Sequence, residues 1–215
     1  MRTLCIGDVH GCNEELGDLI AQAGWTPDAR LVLVGDLVAK GPDSAAVVQR
    51  ARELGALAVL GNHDDHLLNV RRGAVHNERY ARLGETLTAA DWAYLESLPL
   101  WLELPEYQCL VVHGGLLPHL ALAKHPRHVL LNMRSIDAAG QASTRVTGGV
   151  PWASRWLGPE HVIFGHDALR GLQQYAHATG LDTGCVYGKH LTGLWLPEHR
   201  LVSVPARRAW HPVEA

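Results

Sequence analysis

The sequence lacks a long apolar segment and lacks paired cysteines. No stretch of 18 or more apolar residues occurs among its 215 residues, so no segment is predicted to span a membrane. The chain has four cysteines, and no two of them form a C-x-x-C pair. Because Cys5 and Cys109 lie inside apolar runs, we expect reduced, buried thiols in a cytoplasmic protein. A cleavable leader is not expected, because a strand-like run reaches Asp8 at once.

An excess of basic residues is also missing. The chain carries 19 Lys and Arg against 22 Asp and Glu, a formal net charge of −3 with neutral histidine. This balance offers no basic surface for duplex nucleic acid, although a local site could still attract a small phosphorylated ligand. The composition, 47% apolar and 19% charged, is that of an ordinary globular chain, and its length suits one domain with a real core.

Short apolar runs recur along the chain, and a glycine or a polar residue follows each of them. The runs cover residues 3–6, 31–34, 57–60, 110–112 and 162–164. Continuous runs of this length are typical of strands buried on both faces. Apolar residues at helical spacing follow Asn13, a candidate N-cap, and recur over residues 47–54. Thr88 and Asp91 predict a capping box that opens another helix.

The alternation predicts an α/β fold with strands in the middle and helices on both faces. Residues 191–196 and 200–204, separated by a proline-containing turn, predict a hairpin near the end of the chain. We expect one domain over residues 1–215, with a mainly helical insertion over about 66–105 that could form a cap. Residues 116–160 give no clear pattern.

Seven side chains suited to metal chemistry follow the five predicted strands. They are Asp8, His10, Asp36, Asn62, His63, His113 and His166. Ligands bind at the carboxyl edge of open α/β sheets, so these residues should converge there. Carboxylates, imidazoles and an amide oxygen suit divalent Mn, Fe, Zn, Co or Ni. Each fragment alone could be a turn or a helix cap, but the five together predict a metal site.

The five fragments together resemble the motif series of the metallophosphoesterases, the calcineurin-like phosphoesterases. The matching motifs are Gly7-Asp8-Val9-His10-Gly11, Gly35-Asp36, Gly61-Asn62-His63-Asp64, His113-Gly114-Gly115 and Gly165-His166. The chain is similar to the branch that contains the serine/threonine phosphatases and ApaH, the symmetrical diadenosine tetraphosphatase. Residues 181–188 resemble the end of ApaH and of ApaH-like phosphatases. The resemblance implies an αββα sandwich with its active site at the carboxyl ends of the strands.

The resemblance also implies a role for each position. Asp8 and His10 would hold a first divalent ion, and Asp36 would bridge it to a second. The second ion would be held by Asn62, His113 and His166. We expect manganese at both positions, with Fe, Zn, Co, Ni or Mg as alternatives. A metal-bridging hydroxide would attack the phosphorus, because a metal lowers the pKa of bound water from about 15.7 toward roughly 7. His63 would act on the leaving group as a general acid or an electrostatic stabiliser.

The chain departs from the serine/threonine phosphatases at Ala39-Lys40-Gly41, where they carry Asp-Arg-Gly. The missing Asp is the residue that pairs with the catalytic histidine, so Ala39 cannot orient His63. Lys40 offers a charge but no bidentate clamp, and we still predict that it contacts phosphate. Arg134 resembles an arginine that ApaH-type enzymes place near substrate phosphate, although a surface position is an equal alternative.

Several further side chains stay open as candidates. His66 is more simply part of a helix surface, and His177 could approach the metal edge. Stacking on an adenine is conceivable for five tryptophans, with core packing as the simpler prediction. They are Trp92, Trp101, Trp152, Trp156 and Trp195.

The leading functional hypothesis is hydrolysis of a dinucleoside polyphosphate, with diadenosine tetraphosphate giving two ADP. The chain is shorter than ApaH between His113 and His166, so the substrate length and the cleavage position stay open. The alternatives are a serine/threonine or general phosphomonoesterase, and an ApaH-like enzyme acting on polyphosphate or an mRNA cap. The complete set of seven residues argues against a non-catalytic binding module, and the charge argues against a nuclease. The expected partner is a small phosphorylated substrate, and the oligomeric state is open.

Overall fold

Two five-stranded sheets form the centre of the protein, in a computed structural model that describes residues 1–212. The strands are β1 (Thr3–Ile6), β2 (Arg30–Leu33), β3 (Leu57–Ala58), β4 (Trp101–Leu104), β5 (Cys109–Val112), β6 (Ser135–Asp137), β7 (Ala142–Ser143), β8 (Gly149–Pro151), β9 (His161–Phe164), β10 (Gln173–Tyr175), β11 (Ala178–Gly180), β12 (His190–Leu196) and β13 (Arg200–Pro205). The helices are α1 (Asn13–Ala23), α2 (Ser44–Glu53), α3 (Asn62–Arg71), α4 (Glu78–Gly84), α5 (Ala89–Glu96) and α6 (Arg127–Asn132).

The strand order of the two sheets places the predicted metal-site motifs, which follow the parallel strands, at one edge. The first sheet has the order β13-β12-β1-β2-β3, with β1, β2 and β3 parallel and the predicted hairpin β12–β13 added beside β1. The second sheet has the order β10-β11-β9-β5-β4, with β5, β9 and β11 parallel. A small sheet, β7-β6-β8, lies inside the stretch that gave no clear sequence pattern.

The strands are apolar throughout because both of their faces are covered. In β1, Cys5 packs between the two sheets, whereas Leu4 and Ile6 belong to the cluster beneath the helices. Val111 and Ile163 meet Cys5 from the second sheet in the same central cluster. This period-2 division explains the unbroken apolar runs. All four cysteines are free and buried, as the sequence predicted.

The helices cover the two outer faces unequally. Helices α1, α2 and α3 contribute buried residues to the large cluster on the first sheet. The second sheet is covered by the short helix α6 and by a 3-10 turn over Trp152–Arg155. The αββα class is therefore confirmed, with a thinner outer layer on the second sheet. Within residues 1–212, no helix has the length and apolarity needed to cross a bilayer.

Two predicted helix starts had different outcomes. Thr88 and Asp91 form the predicted capping box at the start of α5. The N-cap predicted at Asn13 is wrong, because α1 already begins at Asn13 and Cys12 occupies the cap position without a side-chain bond. The Asn13 Oδ1 atom instead accepts a hydrogen bond from Arg50 Nε at 2.7 Å, so the side chain joins α1 to α2.

The predicted insertion over residues 66–105 contains most of α3, then α4, α5 and finally β4. Leu67, Leu87 and Leu95 are buried in the same cluster as the first sheet. The segment is therefore packed onto the core, and its last strand forms an edge of the second sheet. Its helical part also reaches the functional site through one side chain, Tyr80.

Candidate active site

The parallel strands bring all seven predicted side chains to one edge of the two sheets. Asp8 and His10 follow β1, and Asp36 follows β2. Asn62 and His63 begin α3 after β3, whereas His113 and His166 follow β5 and β9 of the second sheet. Asn62 and His63 are half-buried, and the other five are at most 7% exposed.

The Asp36 carboxylate lies between the two halves of the site. Its Oδ2 atom is 3.4 Å from His10 Nε2 and 3.5 Å from His113 Nε2. Its Oδ1 atom accepts a hydrogen bond from the His63 backbone N–H at 2.8 Å. One carboxylate oxygen thus faces an imidazole from each sheet, which is the position that a bridging ligand needs.

A second cluster forms around the Asn62 side chain. Its Oδ1 atom lies 2.9 Å from His166 Nδ1 and 3.0 Å from His113 Nε2. Asp36, His113 and His166 place one potential ligand atom each within 4.8 Å of one another. His10, Asp36 and His63 form a comparable group on the other side.

Backbone carbonyls orient the three imidazoles that face these clusters. The Nδ1 atom of His10 lies 3.1 Å from Val38 O, and that of His113 lies 2.9 Å from Val34 O. In His166 the roles are reversed, with Nε2 lying 3.1 Å from Asn132 O. A carbonyl accepts a hydrogen bond from one ring N–H and so directs the other ring nitrogen toward the cluster, as is usual for metal-binding histidines.

The spacing of the donor atoms fits divalent cations. Ligands held about 2.0–2.2 Å from one ion, at roughly right or tetrahedral angles, lie about 3.0–3.5 Å apart. The contacts around Asp36 and Asn62 span 2.9 to 3.5 Å. Asp8 lies at the same edge, where its carboxylate accepts the His166 N–H at 3.1 Å. These residues could therefore hold metal ions through oxygen and nitrogen donors.

Glycines and strained backbone allow the carboxylates to come this close. A Cβ atom at Gly61 would overlap Asp36 Oδ1, and one at Gly165 would overlap Asp8 Oδ1. His10, Asp36 and His166 have left-handed φ values of 48°, 51° and 68°. Such values are unfavourable for residues with side chains and cluster at functional sites.

The charges at this edge are arranged for cations. Burial and the nearby Asp182 carboxylate raise the pKa of Asp8 well above its usual value. Burial also raises the pKa of Asp182, to about 6, and lowers that of His10 to about 3. The burial of Asp36 is outweighed by neighbouring imidazoles, which hold its pKa well below the usual range. Several carboxylates buried this close together are stable in their charged form only when positive charge lies beside them.

Residues 1–170 match the family model described as calcineurin-like phosphoesterase. The chain belongs to the calcineurin-like phosphoesterase family. It is 33% identical to the symmetrical bis(5'-nucleosyl)-tetraphosphatase of Edwardsiella ictaluri, over 97% of this chain and 98% of that protein. It is 30% identical to the asymmetrical bis(5'-nucleosyl)-tetraphosphatase PrpE of Oceanobacillus iheyensis, over 97% of this chain and 94% of that protein. A crystal structure of a candidate diadenosine tetraphosphatase shares 40% identity and a TM-score of 0.88, covering 95% of this chain and 93% of that one.

A cavity of about 810 Å³ opens beside the predicted metal ligands of the phosphoesterase. Its lining includes His10, Asp36 and His166 together with the cations Lys40 and Arg134. Volumes of about 300–1,000 Å³ are typical of small-molecule sites. The structure thus places both predicted phosphate-contacting residues next to the predicted ligands, at the cavity where a substrate could enter.

The two wall cations are held differently. Lys40 Nζ donates a hydrogen bond to Tyr187 Oη at 2.8 Å. Arg134 donates to Thr144 O at 3.0 Å and to His166 O at 3.2 Å, while its buried Nε has no hydrogen-bond partner. Arg134 is therefore a cavity residue of the phosphoesterase, and its guanidinium is anchored to the backbone that carries a predicted ligand.

The other open candidates of the sequence lie elsewhere. Trp152 and Trp195 are buried, with Nε1 donating to Gly114 O and Ala23 O respectively. Tyr187, rather than a tryptophan, lines the cavity. The suggestion that His177 approaches the metal edge is wrong, because its carbonyl pairs with Val162 N near the start of β9, at the opposite end of the strand.

Sequence reasoning missed three residues of the site: Tyr80, Asp182 and Tyr187. Asp182 and Tyr187 lie within the 181–188 run, so the family-like motif could have drawn attention to them. Tyr80 lies in a short helix without any motif and contacts His63 Nδ1 through its hydroxyl. No local sequence signal reports such a contact, because it depends on how α4 packs on α3.

Proposed function

We propose that this phosphoesterase hydrolyses a dinucleoside polyphosphate, with diadenosine tetraphosphate as the reference substrate, at a site for two divalent cations. The observation that carries the proposal is the position of Asp36 Oδ2 between His10 Nε2 and His113 Nε2, at 3.4 and 3.5 Å. The adjoining cavity, with Lys40 and Arg134 in its walls, supports a polyanionic substrate. The tetraphosphatase names of the relatives support the choice of substrate class.

The ligand assignment comes from the family resemblance, and the two clusters support it for His10, Asp36, His113 and His166. Asp8 and His10 would hold one ion, Asp36 would bridge, and the other ion would be held by Asn62, His113 and His166. We propose manganese for both positions, since oxygen and imidazole donors suit it and no thiolate takes part. When bound, such a pair of ions polarises phosphate oxygens, acidifies a water molecule and neutralises charge on the phosphate.

The chain's own residues would position the substrate and assist the leaving group. Lys40 and Arg134 would attract the polyphosphate from two walls of the cavity, and this would fix which phosphorus lies above the ligands. His63, whose ring is 5.0 Å from that of His10, would face the leaving oxygen and stabilise the charge that develops there.

The position of cleavage is the open part of the proposal. The relatives include enzymes named for symmetrical and for asymmetrical cleavage. We propose symmetrical cleavage to two ADP, in line with the resemblance of residues 181–188 to the end of ApaH. A phosphomonoesterase specific for phosphoproteins is less well supported, because Ala39 and Lys40 replace the Asp-Arg pair of those enzymes.

Chromatographic product analysis tests the proposal directly. Diadenosine tetraphosphate, a phosphopeptide, polyphosphate and a cap analogue would be compared with manganese present, with a chelator and an Asp36→Asn variant as controls. We expect two ADP from diadenosine tetraphosphate, and loss of turnover in both controls. ATP plus AMP would instead indicate asymmetrical cleavage. Preference for the phosphopeptide, or turnover that survives chelation, would overturn the proposal.

A further inference from the structure

The phosphoesterase needs a way to hold its proposed catalytic imidazole. His63 lies at the start of α3, and Asp36 contacts its backbone N–H but not its Nδ1. At position 39 the buried alanine offers only a methyl group, so it cannot hydrogen-bond to the ring. A histidine that acts on a leaving group loses efficiency if its ring can rotate.

The Tyr80 hydroxyl occupies this role in the structure. It forms a hydrogen bond with His63 Nδ1. The two rings are nearly parallel, 10° apart, with centroids separated by 6.2 Å. With Nδ1 engaged, Nε2 is the ring nitrogen that is left for the substrate.

Tyr80 is itself held by the residues around it. Asn77 caps α4, and its Oδ1 atom accepts the Tyr80 backbone N–H at 3.3 Å. The ring of His66 packs edge-on against Tyr80, with centroids 4.4 Å apart. Tyr80 also packs against the large apolar cluster of the first sheet. The hydroxyl is thus carried by a capped helix and a packed ring.

We propose that Tyr80 is a positioning residue for His63, fixing its ring and placing the ring proton on Nε2. This inference rests on the proposed role of His63 at the leaving group. It also gives the helical part of residues 66–105 a function, because that segment supplies the partner of the catalytic histidine.

A hydroxyl partner has a chemical consequence that a carboxylate partner lacks. A carboxylate can only accept a proton from Nδ1, whereas a phenol hydroxyl can donate to Nδ1. Donation by Tyr80 leaves Nδ1 without a proton and puts the proton on Nε2. The neutral ring can then donate a hydrogen bond to the leaving oxygen, and no further negative charge is placed next to Asp36.

The first test compares Tyr80→Phe with a matched control, Tyr94→Phe. Tyr94 lies on α5 of the same segment, and its hydroxyl donates to Ala56 O at 2.9 Å, outside the cavity. We expect Tyr80→Phe to lower kcat roughly tenfold, since a positioned proton donor contributes about 10²–10⁴-fold in all. KM and metal content should stay within twofold of wild type, and Tyr94→Phe should leave kcat unchanged.

A double-mutant cycle separates positioning from a general structural effect. In a His63→Asn background, Tyr80→Phe should cause no further loss of kcat, because the group on which it acts is gone. If the two losses multiply, Tyr80 acts independently of His63 and the proposal is overturned.

Nitrogen-15 NMR of the metal-free protein provides a readout that does not involve substrate. The His63 ring signals are identified by their disappearance in His63→Asn. We expect a single tautomer with the proton on Nε2 in wild type, and mixed tautomers in Tyr80→Phe. A His63 spectrum that is unchanged by Tyr80→Phe would overturn the inference. A wrong substrate assignment would alter only the kinetic result and would leave this spectrum intact, so the two failures can be told apart.

Discussion

The metal edge and the substrate wall of this site are built from different parts of the fold. The metal edge, which is our name for the six proposed metal ligands, consists of Asp8, His10, Asp36, Asn62, His113 and His166, all located after parallel strands. The substrate wall, which is our name for the cavity-lining residues Lys40, Arg134 and Tyr187, lies on loops between the helices and strands. If the proposed roles hold, the sheets determine where the chemistry occurs and the loops determine which substrates can reach it.

The two regions also differ in how their side chains are held. Around the edge, backbone groups position the ligands, such as Val34 O for His113 and Val38 O for His10. The Asp64 carboxylate accepts the Leu37 and Gly61 N–H groups, both at 3.0 Å, and so joins the Asp36 loop to α3. In the wall, Lys40 is held by a side chain, the Tyr187 hydroxyl, whereas Arg134 donates to the backbone carbonyls of Thr144 and His166. We therefore expect substitutions at the edge to affect metal binding and substitutions in the wall to affect turnover or KM.

The largest effect is expected for Asp36→Asn at the centre of the metal edge. An amide carries no charge to offset two cations, so activity should fall at least roughly 10³-fold and bound metal should decrease. Initial rates with diadenosine tetraphosphate and elemental analysis of the purified protein measure both quantities. Asp18→Asn is a matched control, because Asp18 is an exposed carboxylate on α1 paired with Arg207. Full activity with two bound ions would contradict the bridging role.

His63→Asn tests the boundary between the two regions. We expect kcat to fall roughly 10²-fold because the group next to the leaving oxygen is removed, with metal content close to wild type. The exposed His119 provides the control variant His119→Asn. The alternative is that His63 is itself a metal ligand, because its ring nitrogen lies within 4.8 Å of potential ligand atoms of His10 and Asp36. Loss of one metal ion would assign His63 to the edge instead.

The pH dependence of metal binding tests the electrostatics of the metal edge. Burial lowers the pKa of His113, but the Asp36 carboxylate and its hydrogen bond outweigh the burial and raise the pKa to about 10. We therefore expect His113 to be the doubly protonated imidazolium in the metal-free protein at neutral pH, and its second ring proton must leave when a cation binds. Metal affinity should rise about tenfold per pH unit for each proton released, up to the region of that pKa.

Calorimetry in two buffers of different ionisation enthalpy counts the protons released on manganese binding. We expect at least one proton at pH 7. An affinity that does not change between about pH 6 and 8 would show that His113 is already neutral in the metal-free protein, so that no second ring proton is released.

The same division explains how much of the site could be predicted from sequence. Each edge residue directly follows an apolar run, and a parallel sheet brings such positions together whatever the loops do. Lys40 and Arg134 were predicted through resemblance, and the structure places them in the cavity wall. Tyr80 was not predicted, because its contact with His63 depends on the packing of α4 against α3. The small sheet β6–β8 was missed since its strands are only two or three residues long.

The smallest effect is expected for Lys40→Ala in the substrate wall. The lysine is a single point charge held at 2.8 Å from Tyr187, so its loss should raise KM roughly fivefold, equivalent to about 1 kcal/mol, with kcat and metal content little changed. Lys124→Ala, at an exposed lysine outside the cavity, is the matched control. Lys40→Arg should retain most of the affinity if charge alone matters. Unchanged kinetics in Lys40→Ala would remove Lys40 from the wall and leave Arg134 as its main phosphate contact. A fall in kcat without a change in KM would show that Lys40 stabilises the transition state. A residue of the wall would then contribute to the chemical step as well as the residues of the edge.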